Sequence, residues 1–405
     1  MPMNDENTPM RLIHLVSLGA VGGIQRDYSQ FINALVPEMP IAHHTVLTRP
    51  GIAPVIEPAI LAGSSSVRHL RHVGRFRIPG AFMNLRLKSI FDEIAPDAVV
   101  LWSNPRAIEG LRVPAHVPVI YYEHGASWFN RDVDSIRASF RRIDGVVCNS
   151  FASSRMVALK WGVTDGGKIR VCPNAVQTSA QVSGANRVLP DGRPIVLGVA
   201  GRLEPIKGFA LAIHAVARLA ARGVDARLLV AGDGPERDVL KDLVTALSLH
   251  DRVTFLGFVD DMTTFYSGID LFLCPSIREP FGLVSAEAMA HGVPVLCTQV
   301  DGLPEVVEHE VSGLCLAPTL PVERYPEFGG RLHSMPNHVY DPRSDQIASP
   351  KLLSPDVIAD AVYSLIRSPE RYAAMSRGAL ARVEERFEYT SHVRQVLAAI
   401  QSFCH

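Results

Sequence analysis

Short apolar runs recur along the chain, each followed by a glycine-bearing turn or by a stretch with helical spacing. Residues 11 to 17 read as a buried strand, followed by Gly19-x-x-Gly22-Gly23 and a helical run through Gln25, Phe31, Ile32 and Leu35. Further strand-like runs lie at 45–48, 97–102, 118–122, 145–148 and 168–172. A stretch rich in Ser, Gly, Asn and Pro at 179–194 reads as a linker, and a second series of runs begins beyond it, at 195–200, 228–231, 253–259, 270–274 and 313–318. Uninterrupted apolar strands alternating with helices predict parallel sheets covered on both faces, an α/β fold repeated twice. Helical runs are predicted again at 355–362 and 389–403. Between 319 and 353 the pattern fails: Pro321, Pro326, Pro336, Pro342 and Pro350 interrupt a segment with Tyr325, Phe328 and Tyr340 but no helical or strand period. A stretch of that length is expected to be functional or disordered.

Composition changes this picture little. At 405 residues, 47% hydrophobic and 20% charged, the chain has the make-up of an ordinary soluble protein with two or three domains. No apolar run reaches the roughly 18 residues of a membrane span, and Asp5 and Glu6 precede the first apolar run, so no secretory signal is read and a cytosolic location is expected. Six cysteines (148, 172, 274, 297, 315 and 404) lack Cys-x-x-Cys spacing and read as reduced residues, mostly in the core.

Charge adds one feature. Residues 1–185 carry 19 Lys and Arg against 14 Asp and Glu, a net of +5 that leaves −6 for the remainder. Between Glu57 and Asp92 there is no acidic residue, while Arg68, Arg71, Arg75, Arg77, Arg86 and Lys88 stand among Ile78, Phe82, Leu85 and Leu87. Two readings stand side by side: a solvated basic face, or a contact with an anionic membrane surface or lipid phosphate, with peripheral attachment at the cytoplasmic membrane. No recognition motif accompanies the charge, so nucleic acid is not an expected partner.

The densest chemistry lies at 278–305. Glu279 precedes a Pro280-Phe281-Gly282 turn, and Glu287 sits eight positions later in a helix-forming run that Gly292 ends. A helix starting near Gly282 directs its unpaired N–H groups, those of Leu283 and Val284 included, at the preceding loop and makes an anion site suited to phosphate. With Glu287 and Glu279 as hydroxyl acceptors, the segment describes a pocket for a sugar joined to a nucleotide diphosphate. Taken singly, each Glu is more often a solvated charge, and spacing alone does not decide. Elsewhere, Gly22 and Gly23 allow close approach of a bound group, though a packing turn is the default. His124 ends the run 118–122 at a place where α/β sheets bind ligands, though a lone His is more often structural. Arg202 and Lys207 follow the run 195–200, where such charges are ordinarily solvated. The turn Gly232-Asp233-Gly234-Pro235 is not a dinucleotide fingerprint, since position 237 is Arg.

The whole string resembles the Glu-x7-Glu signature of retaining GT-B glycosyltransferases of the family 4 type: Glu279-Pro-Phe-Gly-Leu283, then Glu287-Ala-Met-Ala-x-Gly292-x-Pro-Val295, then Gly302-Leu-Pro-Glu305. Gly201-Arg-Leu-x-x-x-Lys207-Gly208 and the early Gly22-Gly23 loop match as well. The resemblance implies two Rossmann-like domains facing across a cleft. The first, 1–178, takes the acceptor and is rejoined by a helix at 388–405; a linker at 179–194 leads to a nucleotide-sugar domain at 195–387 carrying the insert of about 319–353. It implies sugar transfer from a nucleotide-sugar to an acceptor hydroxyl with retention, in polysaccharide, lipopolysaccharide or glycolipid synthesis, a lipid-linked saccharide being the candidate acceptor. By the same resemblance Arg202 and Lys207 clamp the donor diphosphate, with Phe281, Gly282, Leu283 and Val284 at the phosphate. Glu287 then holds the ribose, backbone at Gly257, Phe258 and Val259 holds the base, and His124 and Glu279 serve the donor sugar. Basic residues replace a metal in this class, so no metal or other cofactor is implied. A different GT-B activity (phosphorolysis or epimerisation) and a non-catalytic nucleotide-sugar-binding subunit are the alternatives. Three positions depart from the family pattern: Asp301 where Gly is usual, and Ala175 and Gln177 in place of Gly and Asp.

Overall fold

The computed structural model describes residues 9–20, 22–73, 76–102, 104–129, 132–164, 166–177 and 186–404. Asp5, Glu6, Arg75 and the first part of the expected linker, to residue 185, lie outside the described residues. The chain divides into two compact units: Met1–Pro173 together with Thr390–His405, and Asn174–Tyr389.

Unit 1 is a parallel sheet with helices on it. Its strands in chain order are β1 (Met10–Leu18), β2 (Ile41–Ile52), β3 (Ser66–His69), a two-residue-per-arm hairpin β4–β5 (His72–Val73 and Phe76–Arg77), β6 (Ala98–Trp102), β7 (Val119–Glu123), β8 (Gly145–Cys148) and β9 (Ile169–Val171). The sheet runs β3-β2-β1-β6-β7-β8-β9, all neighbours parallel. Helices α1 (Gly23–Phe31), α2 (Glu57–Gly63), α3 (Met83–Ile94), α4 (Val133–Phe140) and α5 (Phe151–Trp161) connect the strands. The Ala-Val-Val-Leu-Trp run of β6 is buried at every position, as a strand covered on both faces must be. Helix α3 turns Leu87, Ile90, Phe91 and Ile94 to the core and leaves Leu85 and Lys88 outside.

Unit 2 repeats the plan. Strands β10 (Ile195–Ala200), β11 (Ala226–Ala231), β12 (Val253–Gly257), β13 (Leu271–Cys274), β14 (Val295–Thr298) and β15 (Gly313–Leu316) form a parallel sheet in the order β12-β11-β10-β13-β14-β15. Helices α6 (Phe209–Ala221), α7 (Arg237–Ala246), α8 (Met262–Ser267), α9 (Leu283–Ala290), α10 (Leu303–Val306), α11 (Pro355–Ile366) and α12 (Pro369–Arg386) pack around it. This is the doubly wound strand order, in which the chain reverses direction across the sheet between β10 and β13 and leaves a binding crevice at their carboxyl ends. Loops 201–208 and 275–282 leave the sheet there.

Part of the expected linker is fastened down. Arg187 donates to the carbonyls of Tyr266, Ile269 and His291, and its backbone N–H donates to Ser376 Oγ, all within unit 2. The aperiodic insert is likewise ordered. Strand β16 (Leu320–Pro321) pairs antiparallel with β19 (Lys351–Leu352) and closes its base. A 3-10 helix at Val322–Phe328 sends Tyr325 and Phe328 into the unit 2 core, and β17 (Val339–Asp341) and β18 (Gln346–Ala348) form a hairpin. Sequence periodicity missed these elements because none is long enough to show one. The last helix, α13 (Tyr389–Gln401), buries Val393, Val396, Leu397 and Ile400. Its continuation brings the Phe403 ring under the Arg170 guanidinium of unit 1 at 5.3 Å.

Candidate functional site

In unit 2 the charged residues gather on the loops after β10 and β13. Lys207 ends a short 3-10 turn (Pro205–Lys207), and its Nζ lies 2.6 Å from Glu279 Oε2. Ser276 Oγ lies 3.4 Å from the same oxygen, and the two ionic side chains are only 25% and 11% exposed. Burial lowers the proton affinity of the Lys207 amine, but the Glu279 carboxylate more than offsets this and the pKa ends above its ordinary value. The ammonium is therefore fixed as a cation. Arg202 does not join this pair: its side chain is 70% exposed and its Nε lies 3.1 Å from Glu204 Oε1.

Helix α9 begins directly beyond. Gly282 is its N-terminal cap, with φ of 101° in a region that favours glycine, and no side chain caps the helix. The backbone N–H groups of Leu283 and Val284 fall in the first turn, where a helix supplies no internal acceptor, so they point at the loop carrying Glu279. One turn further, Glu287 Oε2 accepts from Tyr266 Oη at 2.7 Å, and the same hydroxyl lies 3.2 Å from the Val284 carbonyl. Tyr266, on α8, thus orients Glu287 and ties it to the first turn of α9. The Phe281 ring is buried edge-on against Phe387 at 5.6 Å, which leaves its backbone to meet a ligand. Gly257, the last residue of β12, has open space around it, and beyond it the Phe258 ring is 60% exposed, next to half-buried Val259.

The departures from the family pattern also find their surroundings. Ala175 is buried, and Val176 N–H donates to the Phe387 carbonyl at 3.0 Å, while Gln177 is exposed. Asp301 is wholly buried with φ of 48°, and its carboxylate accepts from the backbone N–H of Glu279 at 2.8 Å.

In unit 1, His124 follows β7, and its side chain is only 3% exposed rather than open at a strand end. The ring stacks on Trp102 at 5.2 Å with an interplanar angle of 15°, packs beside Tyr122, and places Nδ1 3.4 Å from Asp27 Oδ2. Burial, with His392 adding to it, brings the His124 pKa down to about 3. Burial pushes the Asp27 carboxyl up to about 7. The imidazole is therefore neutral at physiological pH. Asp27 lies on α1, just after Gly22 and Gly23, both exposed at the start of that helix. The loop after His124 is organised by its neighbour Glu123, which is fully buried and accepts from Gly125 N–H at 2.7 Å, Ser127 N–H at 3.0 Å and the Tyr121 hydroxyl. Asp27, Glu123, Tyr266 and Ser276 were not singled out from the sequence; Glu123 and Ser276 stand beside His124 and the Glu279 segment, whereas Asp27 and Tyr266 lie where only packing reveals them. Among the described residues no three His, Cys, Asp or Glu come together to hold a metal ion.

The basic stretch is partly neutralised. Arg68 pairs with Glu93, and Lys88 with Asp92 at 2.6 Å. Arg71 and Arg77 instead line a cavity of about 330 Å³ with Ile78, Pro79, Gly80 and Met83. Phe76, Phe82 and Leu85 are exposed around this basic stretch, Phe76 to 82%. No helix among the described residues is long and apolar enough to cross a membrane.

Known proteins resemble this chain in sequence and fold. The family described as "Glycosyl transferases group 1" matches residues 185–325, and "Glycosyltransferase Family 4" matches residues 21–180. The lipopolysaccharide core biosynthesis glycosyltransferase LpsE of Rhizobium meliloti is 33% identical over 300 residues, 72% of this chain and 80% of that protein. N-acetyl-alpha-D-glucosaminyl L-malate synthase of Bacillus anthracis is 50% identical over a shorter span of 93 residues, 23% of this chain and 24% of that protein. Among solved structures, Anabaena Alr3699/HepE in complex with UDP superposes with a TM-score of 0.70 at 20% identity, covering 97% of this chain and all of that one. WaaG, a glycosyltransferase involved in lipopolysaccharide biosynthesis, superposes with a TM-score of 0.63 at 15% identity over 96% of this chain and 99% of that one.

Proposed function

Because the chain belongs to the group 1, family 4 glycosyltransferases of GT-B fold and moves a sugar from a donor to an acceptor, we propose that its donor is a nucleoside-diphosphate sugar held by unit 2 and that transfer retains the anomeric configuration. The observation that carries this reading is the Lys207–Glu279 pair at 2.6 Å beside the open first turn of α9. The cation and the helix N–H groups supply positive charge for a diphosphate, and Glu279 supplies an acceptor for the sugar joined to it. The UDP and UDP-glucose complexes of HepE support a donor of this class.

In the proposed reaction the bond between the anomeric carbon and the phosphate oxygen breaks as the acceptor oxygen approaches the same face. The acceptor's proton passes to the departing phosphate oxygen, so no separate base is needed. Negative charge accumulates on the diphosphate during bond breaking, where Lys207 and the N–H groups of Leu283 and Val284 oppose it. Removing one donor aimed at such a developing charge typically costs about 10²- to 10³-fold in rate. Glu287, oriented by Tyr266, takes the ribose hydroxyls, Phe258 and its neighbours take the base, and Arg202 swings from Glu204 to the phosphate when donor binds. His124, neutral and held by Trp102 and Asp27, bonds the sugar's hydroxyls.

The acceptor is proposed to be a lipid-linked saccharide at an anionic membrane face, met by the surface that combines Arg71, Arg77, Phe76, Phe82 and Leu85. The name of the LpsE relative supports an acceptor from surface-polysaccharide synthesis. The test of the core reading is donor consumption by Lys207→Ala and Glu279→Gln, measured with UDP- and GDP-sugars and with inversion or retention read by NMR of the product. Loss of turnover of about 100-fold in each supports it. Near-normal rates in both, or an inverted product, refute it.

A further inference from the structure

The insert and the departure at Asp301 explain each other. Between β15 and α11 the chain leaves the sheet, is pinned at its base by β16 and β19, and returns as the hairpin β17–β18. That hairpin meets the loop after β14 at Tyr340. Tyr340 N–H donates to Asp301 Oδ1 at 2.7 Å, and Asp301 N–H donates back to the Tyr340 carbonyl at 3.0 Å. The other carboxylate oxygen, Oδ2, accepts from Glu279 N–H at 2.8 Å. One buried carboxylate therefore joins the hairpin to the backbone of the residue that ion-pairs with Lys207. The next residue closes the loop from the other side: Gly302 N–H donates to the Glu279 carbonyl at 3.1 Å, and the Pro280 carbonyl occupies the space a side chain at 302 would need.

A glycine at 301 would accept the left-handed backbone without strain but bring no carboxylate. Asp tolerates that conformation better than most residues and satisfies two buried N–H donors that a glycine would leave without this partner. The buried charge has a cationic neighbour in Arg278: burial lowers the proton affinity of its guanidinium, and the charges of Asp301 and Glu279 offset this only in part. Tyr340 is itself anchored, its ring buried and its hydroxyl donating to Asp345 Oδ1 at 2.9 Å.

We propose that Asp301 is a positioning residue for sugar transfer, fixing Glu279 through its backbone, and that the β17–β18 hairpin is the buttress it works through. This rests on the reading of Glu279 as the group that meets the donor's sugar. The insert then serves the donor site while its own residues need not touch the donor.

The test uses the full-length protein with Asp301→Gly and Asp301→Asn. The glycine variant keeps the backbone conformation and removes both acceptors; the asparagine variant keeps size and turn tolerance but faces one N–H with an amide NH₂. Both are expected to lower kcat at least 10-fold, with the KM for donor and the thermal shift given by UDP within 3-fold of wild type. Hydrogen exchange in the glycine variant should speed at least 10-fold in peptides covering both Glu279 and Tyr340, with β10 and β13 unchanged. In the wild-type protein, which needs no variant to fold, the amides of Glu279 and Tyr340 should open together, with protection factors within 10-fold. Wild-type kcat in Asp301→Gly alongside an inactive Glu279→Gln overturns the positioning role. Amides that exchange independently overturn the buttress. An active Glu279→Gln with coupled exchange would instead defeat the reading of Glu279 and leave the mechanical link standing.

Discussion

Asp27→Asn tests the electrostatics of unit 1 without touching its shape. In the folded protein Asp27 has a pKa of about 7 against 3.8 ordinarily, and His124 about 3 against 6.5, both displaced mainly by burial. The Asp27 pKa is raised, so its favourable contribution is full below about 4 and is lost as pH rises to about 7. The His124 pKa is depressed, so its contribution is full above about 6.5 and is lost as pH falls toward 3. Between about 4 and 6.5 the two slopes oppose and the wild-type stability of this site is nearly flat. Each tenfold change in proton affinity is worth about 1.4 kcal/mol, so the ionised Asp27 costs about 4 kcal/mol above pH 7, a figure its 14% exposure and the nearby imidazole reduce. The amide removes that cost. Relative to wild type, the variant should be level near pH 4 and about 2–4 kcal/mol more stable at pH 8. Its own stability should climb more steeply than that of the wild type between pH 4 and 6.5, because the opposing Asp27 slope is gone while those of His124 and of the buried His14, His43 and His392 remain. All three tryptophans (102, 128 and 161) lie in unit 1, so urea unfolding followed by tryptophan fluorescence reports this unit alone. A difference between variant and wild type that is the same at pH 5 and pH 8 would refute the argument.

Other substitutions probe separate elements. Tyr266→Phe removes the hydroxyl that orients Glu287 and should weaken UDP binding about 3- to 10-fold by calorimetry, in line with one hydrogen bond of about 0.5–1.5 kcal/mol; unchanged affinity would place Glu287 outside the ribose site. Arg71→Glu with Arg77→Glu should abolish binding to phosphatidylglycerol vesicles at low salt while leaving UDP affinity intact, and retained binding would remove this surface from membrane contact. Leu211→Ala, in the fully buried face of α6, should lower the stability of unit 2 by about 2–5 kcal/mol in scanning calorimetry without altering the tryptophan transition.

Much of the fold was legible because buried parallel strands leave uninterrupted apolar runs. Ala98–Trp102 and Ile195–Ala200 stand where the runs 97–102 and 195–200 placed them, and α9 starts at Leu283 as the glycine turn required. The insert was illegible for the opposite reason: its strands span two or three residues, too few for any period to show, and its packing is carried by isolated aromatics such as Tyr325. Within the site, Glu279 and Glu287 stand out through the whole 279–305 string rather than through their spacing, whereas the partners that fix them leave no such mark in the sequence. Tyr266 lies in a different helix from Glu287, and the sequence marks Asp301 only as a departure from the usual glycine, with no sign of the backbone N–H groups it binds. Side-chain placement was not legible either: Arg202 pairs with Glu204 and the Phe281 ring packs against Phe387.

The return of the final helix to unit 1 orders events at the ribosome. Residues 390–404 supply Val393, Val396, Leu397 and Ile400 to the core of unit 1, and Arg394 pairs with Glu38. During synthesis the strands of β1–β9 emerge first but lack this cover until the whole of unit 2 has been made. Domains generally fold as units, the earliest synthesised first. Here that order is inverted at the last step, because the second unit can close while the first still exposes an apolar seam. A chaperone that holds nascent apolar surface would have its longest engagement with the N-terminal unit, and release would coincide with translation of α13.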